Sequence, residues 1–182
     1  MGDRPIRVTF DHGRLEIMSP LPKHEKWKKR IGMLIESLCI ELNIPFQPLG
    51  STTFRRDDLE QGLEPDECYY VQHLADIRDK DVLDFPIDPP PDLAVEIDIT
   101  HRSIKREPIY AGLGVPEIWR FADPKLTVLR LGDNASYKPV DQSHVFPFLP
   151  MAQFQAWVLR LGTEDQTPVL REFRDWVKTL KP

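Results

Sequence analysis

The stretch Asp92-Leu93-Ala94-Val95-Glu96-Ile97-Asp98-Ile99 decides the fold predicted for this chain. Its hydrophobic residues recur at every second position, which is the pattern of a β-strand. One face therefore carries Leu93, Val95, Ile97 and Ile99, and the opposite face carries Asp92, Ala94, Glu96 and Asp98. Three carboxylates on one face of a central strand are costly without a positive charge beside them. Carboxylate oxygens suit hard divalent ions, so the strand predicts a metal site.

A less specific explanation of the same strand stays open. Glu96 and Asp98 would also be expected on the solvated face of an edge strand, where carboxylates need no partner. The hydrophobic residues that flank them favour a central strand. We therefore prefer the metal site, and with it metal-assisted hydrolysis, as the interpretation of this segment.

Composition places the chain among ordinary globular proteins. Hydrophobic residues make up 41% and charged residues 29% of its 182 residues, so we expect one domain over 1–182 with a core of its own. The sequence contains no apolar run long enough to cross a bilayer, which predicts no membrane partner. Its first ten residues are charged and include Pro5, unlike a signal peptide. Cys39 and Cys68 lack the spacing of a metal pair, and with no export signal they predict a cytoplasmic location.

The charge of the chain limits how it could bind nucleic acid. A formal net charge of −5 argues against coating nucleic acid by bulk electrostatics. It does not argue against a nuclease, because acidic metal ligands lower the net charge until the ion binds. Two local basic clusters, within 23–30 and 101–106, are the candidate phosphate contacts.

The rest of the pattern predicts an α/β domain with a central mixed β-sheet flanked by α-helices. An N-terminal β-hairpin is expected over 6–18, and an amphipathic helix over 23–43, where hydrophobic residues recur at helical spacing. The later elements are strands within 45–55 and 64–71, an irregular loop over 76–91, a helix over 104–113 capped by Ser103, a hairpin of 117–121 with 126–131, and C-terminal helices at 151–161 and 167–180, within 151–180.

The order of these elements and their motifs resembles a known nuclease core. The matching segments are Gly13–Pro20 with His24, Glu64-Pro65-Asp66, Pro91–Ile97 and Ile109–Trp119. Together they resemble the PD-(D/E)XK nuclease superfamily and, more narrowly, a large bacterial family of restriction-endonuclease-like proteins. The resemblance spans most of residues 10–131 and leaves the C-terminal helices outside. It implies a restriction-endonuclease-like core over 23–131.

The resemblance also implies a set of site residues. Asp66 and Glu96 would hold the catalytic ion, Mg²⁺ or Mn²⁺, and DNA would be the substrate. The motif lysine falls at Asp98, which would then be a further metal ligand. Members of the narrower family often carry the basic residue on the next helix, which gives the candidates Lys105, then Arg106 and Arg102. Such a residue helps to activate water and to stabilise the charge of the transition state.

Each of these candidates has an ordinary structural alternative. Asp66 follows a proline and would be common in a turn, while Lys105 would be an ordinary solvated lysine of a surface helix. His24 either packs against Trp27 or serves the site indirectly as a proton relay. Lys23, Arg102 and Arg106 would hold phosphates if they lie beside the metal site.

Two functional hypotheses remain at this stage. The first is a divalent-metal-dependent endonuclease that hydrolyses DNA phosphodiester bonds. The second is a catalytically inactive nuclease-fold module that binds nucleic acid or protein, and the missing motif lysine supports it. A homodimer is also expected, from the apolar surface of the second hairpin and the Trp-containing C-terminal helices.

Overall fold

The N-terminal residues form a small antiparallel sheet. The computed structural model describes residues 6–85, 87–99 and 103–182. Strands β1 (Arg7–Asp11) and β2 (Arg14–Met18) pair with Val8 opposite Ile17, which confirms the predicted hairpin. Gly13 has a φ of 80°, a left-handed conformation that glycine adopts without steric cost, and so it closes the turn. The sheet has the strand order β2-β1-β5-β4.

A larger mixed sheet forms the centre of the structure, in the order β10-β9-β8-β7-β6-β3. The acidic segment contributes β7 (Leu93–Ile97), which runs parallel to β8 and antiparallel to β6. All five residues of β7 are buried, so the prediction of a central strand is confirmed. The bounds of the other strands are β3 Gln47–Pro48, β4 Phe54–Arg56, β5 Gln61–Leu63, β6 Glu67–Tyr70, β8 Glu117–Ala122, β9 Lys125–Leu131 and β10 Tyr137–Val140.

Helices cover both faces of this sheet. On one face, α1 (Pro22–Glu41) packs with α4 (Met151–Thr163) and α5 (Gln166–Val177) against β7. The predicted apolar stripe of α1 is buried in that core, as its helical spacing requires. On the other face, α3 (Glu107–Leu113) contacts β4 and β5 and thus lies between the two sheets. A short helix, α2 (Leu74–Ile77), follows β6.

Several predicted boundaries differ from the structure. The strand expected within 45–55 is in fact two strands, β3 and β4, which belong to different sheets. β5 lies between the strands expected within 45–55 and 64–71, and neither β5 nor β10 was predicted. These strands have only two to four residues, which is too few to show a period along the sequence.

The helix expected over 104–113 begins only at Glu107, so the prediction that Ser103 caps it is wrong. The hydroxyl of Ser103 donates instead to the Oε2 of Glu16 at 2.5 Å, and its backbone N–H donates to the same oxygen. Glu16 thereby ties the N-terminal hairpin to the segment that precedes α3. As a consequence, Lys105 and Arg106 stand before α3 rather than within it.

The two cysteines, the helices and the C-terminal tryptophans can be compared with what the sequence predicts. Cys39 on α1 and Cys68 on β6 are both free and buried. In the described parts of the chain, no helix has the length and apolar character needed to cross a membrane. Trp157 and Trp176 pack against Phe173 within the C-terminal helices, and the homodimer stays a prediction.

Candidate functional site

The two motif acids meet at the centre of the large sheet. The register of β6 with β7 places Glu67 opposite Val95. Asp66 directly precedes β6, and its Oδ2 accepts the backbone N–H of Ile97, the residue after Glu96. The sheet thus brings together the two acids that the sequence places 30 positions apart.

Asp66 is fully buried and is held by positive and donor groups. Its Oδ1 accepts a hydrogen bond from the guanidinium of Arg7, and its Oδ2 accepts the backbone N–H of Ile97 at 2.6 Å. His24, also fully buried, places its Nε2 3.1 Å from the same Oδ2. His24 therefore contacts one of the motif acids, and its role at the site stays a prediction.

Glu96 is held in a similar way by residues of α3 and of the segment before it. Its Oε1 accepts the hydroxyl of Tyr110, and its Oε2 lies 3.1 Å from a guanidinium nitrogen of Arg106. Arg106 also donates to the backbone carbonyl of Glu64, which fixes the guanidinium in place. Burial raises the pKa of Tyr110 well above its usual value, so that hydroxyl stays protonated and donates to the carboxylate.

Asp92 is held by its own set of donors, separate from the groups that hold Asp66 and Glu96. Its Oδ2 accepts the backbone N–H groups of Val71, Gln72 and His73, at 2.7, 2.8 and 3.1 Å. Asp92 precedes the first residue of β7 and is buried against the turn that follows β6. Its negative charge is thus balanced by backbone donors and by the ring of His73.

A cavity of about 780 Å³ lies beside Glu96. Four of the predicted site residues border it, namely Glu96, Asp98, Lys105 and Arg106. Asp66 and His24 are buried and are not among its lining residues. Lys23 pairs with Asp123 at 2.9 Å, outside this cavity. Arg102 lies outside the described residues.

The carboxylates at this cavity are ligands of the type that divalent ions bind. Mg²⁺ in enzymes is commonly held by one or two carboxylates, with water and substrate phosphate completing its coordination. Glu96 and Asp98 can supply two such carboxylates from neighbouring positions on one strand face. Within 6–85, 87–99 and 103–182, no group of three His, Cys, Asp or Glu residues is placed to hold a metal. Any ion bound here would therefore depend on water and substrate for its other ligands.

Sequence reasoning missed three residues of this site. Arg7 and Tyr110 contact the two acids directly, and Arg120 borders the cavity, where it pairs with Glu107 at 2.8 Å. Only Tyr110 left a usable signal, since it follows Arg106 by four residues, one helical turn. Nothing in the sequence marks Arg7, which is separated from Asp66 by 59 positions.

Comparison with solved structures supports the fold. The chain is similar to a protein from Anabaena variabilis ATCC 29413 described as a "putative nuclease belonging to DUF820". The two share 11% sequence identity with a TM-score of 0.52, over 93% of this chain and 90% of the other. At that identity the likeness shows a shared fold. A comparison with curated proteins found no significant match.

Comparison with protein families is more specific. The Uma2 family, described as "Putative restriction endonuclease", matches residues 2–162. The match reaches further than the resemblance predicted over 10–131, because it takes in most of α4. Since it covers most of the sequence, the chain belongs to the Uma2 family of restriction-endonuclease-like proteins.

Proposed function

We propose that this protein is an endonuclease that hydrolyses DNA phosphodiester bonds with the help of Mg²⁺ or Mn²⁺. One observation carries the proposal: a nuclease fold of the Uma2 family places Glu96, Asp98 and Arg106 around one cavity beside the central strand. Acids of this kind bind the ion, and a fixed guanidinium suits the charge that develops on a phosphate.

Within this proposal each residue has a distinct task. Glu96 and Asp98 border the cavity and would hold the ion, which would polarise the phosphate and lower the pKa of a bound water. Asp66 remains a third candidate ligand, and its contact with Arg7, like that of Glu96 with Arg106, would have to make room for the ion. Tyr110 and Arg106 fix the two oxygens of Glu96 and so determine which way its carboxylate faces.

Arg106, rather than Lys105, is the better candidate for the basic residue. Arg106 is buried and lies 3.1 Å from Glu96, whereas Lys105 is exposed at the cavity rim. We expect Arg106→Gln to lower the cleavage rate by about a hundredfold and Lys105→Gln to change it only slightly. Initial rates of plasmid nicking, with thermal unfolding measured in parallel, test this order. A larger loss in Lys105→Gln would assign the role to Lys105 instead.

The first test of the proposed function is the wild-type reaction. Purified protein should cleave supercoiled, linear or single-stranded DNA in the presence of Mg²⁺ or Mn²⁺, and EDTA should stop the cleavage. The same ions should raise the melting temperature, because a ligand that binds the folded state stabilises it. Absence of cleavage on all three DNAs with both ions would reject the proposal.

The inactive module is a second candidate, and a specific observation favours it. Asp66 and Glu96 both contact arginines, so protein side chains already balance the charges that an ion would neutralise. An inactive module of this kind predicts neither cleavage nor thermal stabilisation by Mg²⁺ or Mn²⁺. The wild-type experiment therefore separates the two functions.

A further inference from the structure

We propose that the cavity beside Glu96 receives one unpaired nucleotide, so that the substrate class is single-stranded DNA or a duplex with an unpaired base. The inference rests on the proposed function, since it takes DNA to be bound at the Glu96 site. It follows from the two kinds of surface that the central sheet presents to the cavity.

The floor of the cavity consists of two parallel rows of side chains. The strand registers place Ile118 of β8, Leu129 of β9 and Pro139 of β10 side by side across the sheet. The same registers place Glu96 beside Arg120 in the neighbouring row. Residues two positions apart along a strand are separated by about 7 Å. An apolar row, in which Pro139 is exposed and Ile118 and Leu129 are buried, therefore runs next to a charged row, at a distance of about 7 Å.

The walls of the cavity add further apolar side chains beside the apolar row. Ile104 and Pro108 border it on the side of α3, and Tyr137 borders it on the side of β10. The hydroxyl of Tyr137 donates to the backbone carbonyl of Val115 at 2.5 Å, which ties up its polar end and fixes the ring. An aromatic ring held in this way offers an apolar surface to a ligand.

The charges at the other end are balanced. Glu96, Asp98 and Glu107 face Lys105, Arg106 and Arg120 around the same space. A ligand that matches this cavity has a charged end for the cationic groups and a flat apolar end for the floor. A nucleotide has both ends, and a cavity of about 780 Å³ lies within the usual size range of small-molecule sites.

A fully paired duplex fits this cavity poorly. Its bases are stacked inside the helix with only their edges open in the grooves, so no flat face of a base would reach the apolar floor. Enzymes that enclose a base act on single strands or extrude the base from the duplex, and extrusion costs least where the base is unpaired. Stacking on aromatic side chains is the usual way in which proteins hold such bases.

The test is equilibrium binding in EDTA, so that the DNA remains uncut, at one fixed salt concentration. Three DNAs of the same sequence are compared: a single strand, a duplex with one bulged nucleotide, and a fully paired duplex. We expect the first two to bind about tenfold more tightly than the third, the size of effect expected for one stacked base.

Two pairs of variants locate the effect. Tyr137→Leu removes the ring, whereas its control Tyr137→Phe keeps the ring and loses only the hydroxyl. Ser136→Trp fills the rim of the cavity from an exposed turn, and Ser136→Ala is its control. The preference for unpaired DNA should disappear in Tyr137→Leu and Ser136→Trp and persist in both controls. If Tyr137→Leu fails to fold, the Ser136 pair decides.

The results separate this inference from the proposed function. Equal binding of the three DNAs, no binding at all, or a preference that survives Ser136→Trp would overturn the inference. Metal-dependent cleavage without any preference would leave the proposed function standing and remove the inference. A preference without cleavage would support the inference and reject the proposed function. The two outcomes are separable because binding is measured independently of the reaction.

Discussion

Glu96→Gln should lower the rate of metal-dependent DNA cleavage by at least about a hundredfold, if the protein is the nuclease that we propose. Groups that only support a metal ligand typically contribute ten- to a hundredfold, so loss of a ligand charge should cost at least the larger figure. Glutamine has nearly the shape of glutamate and can still accept the hydroxyl of Tyr110, so the buried site keeps most of its packing. The measurement is the initial rate of plasmid nicking in Mn²⁺ and Mg²⁺.

A second acid at the same cavity provides the control. Glu107 also borders the cavity but pairs with Arg120, so Glu107→Gln removes the same charge without removing a proposed ligand. Glu107→Gln should retain most of the activity, and both variants should stay folded by circular dichroism. A Glu96→Gln protein that cleaves DNA at the wild-type rate would exclude Glu96 as a metal ligand.

The central elements of the fold could be predicted from the sequence, because their patterns are long enough to show a period. The alternation along 93–97 and the helical stripe of α1 both identify a buried face, and the structure confirms both. Which strands pair with one another has no comparable signal in the sequence. The segment 45–55 divides between two sheets, and its strands have two and three residues, so no periodicity could reveal the division.

At the candidate site, too, the sequence does not show which residues meet in space. The acids Asp66 and Glu96 could be recognised from their motifs, yet the groups that balance their charges could not. Arg7 reaches Asp66 because β1 pairs with β5 in the smaller sheet, and Asp66 follows the last residue of β5 by three positions. The sequence argument assumed that the carboxylates lack counter-charges within the protein. In the structure, Arg7 and Arg106 are those counter-charges.

The contact between Arg7 and Asp66 should contribute strongly to the stability of the folded protein. We expect Asp66→Ala to lower the free energy of unfolding by about 3 kcal/mol, because the buried guanidinium of Arg7 loses its buried partner and keeps the partly exposed Glu25, 3.3 Å away. Arg7 is only 7% exposed, and the backbone N–H of Ile97 would lose its acceptor as well. Urea unfolding followed by circular dichroism measures the loss. Asp58→Ala, which breaks an exposed pair with Arg56, is the control and should change stability little.

A double-mutant cycle shows whether the pair is the cause. If Arg7 and Asp66 act as a pair, Arg7→Met combined with Asp66→Ala should cost clearly less than the sum of the two single changes. Additive losses would contradict that explanation. The result also bears on the function, because an Asp66 variant that unfolds loses activity for a reason unrelated to catalysis. Loss of cleavage in Asp66→Ala therefore says nothing about catalysis, whereas loss in a folded Glu96→Gln places the defect at Glu96 and its partner Arg106.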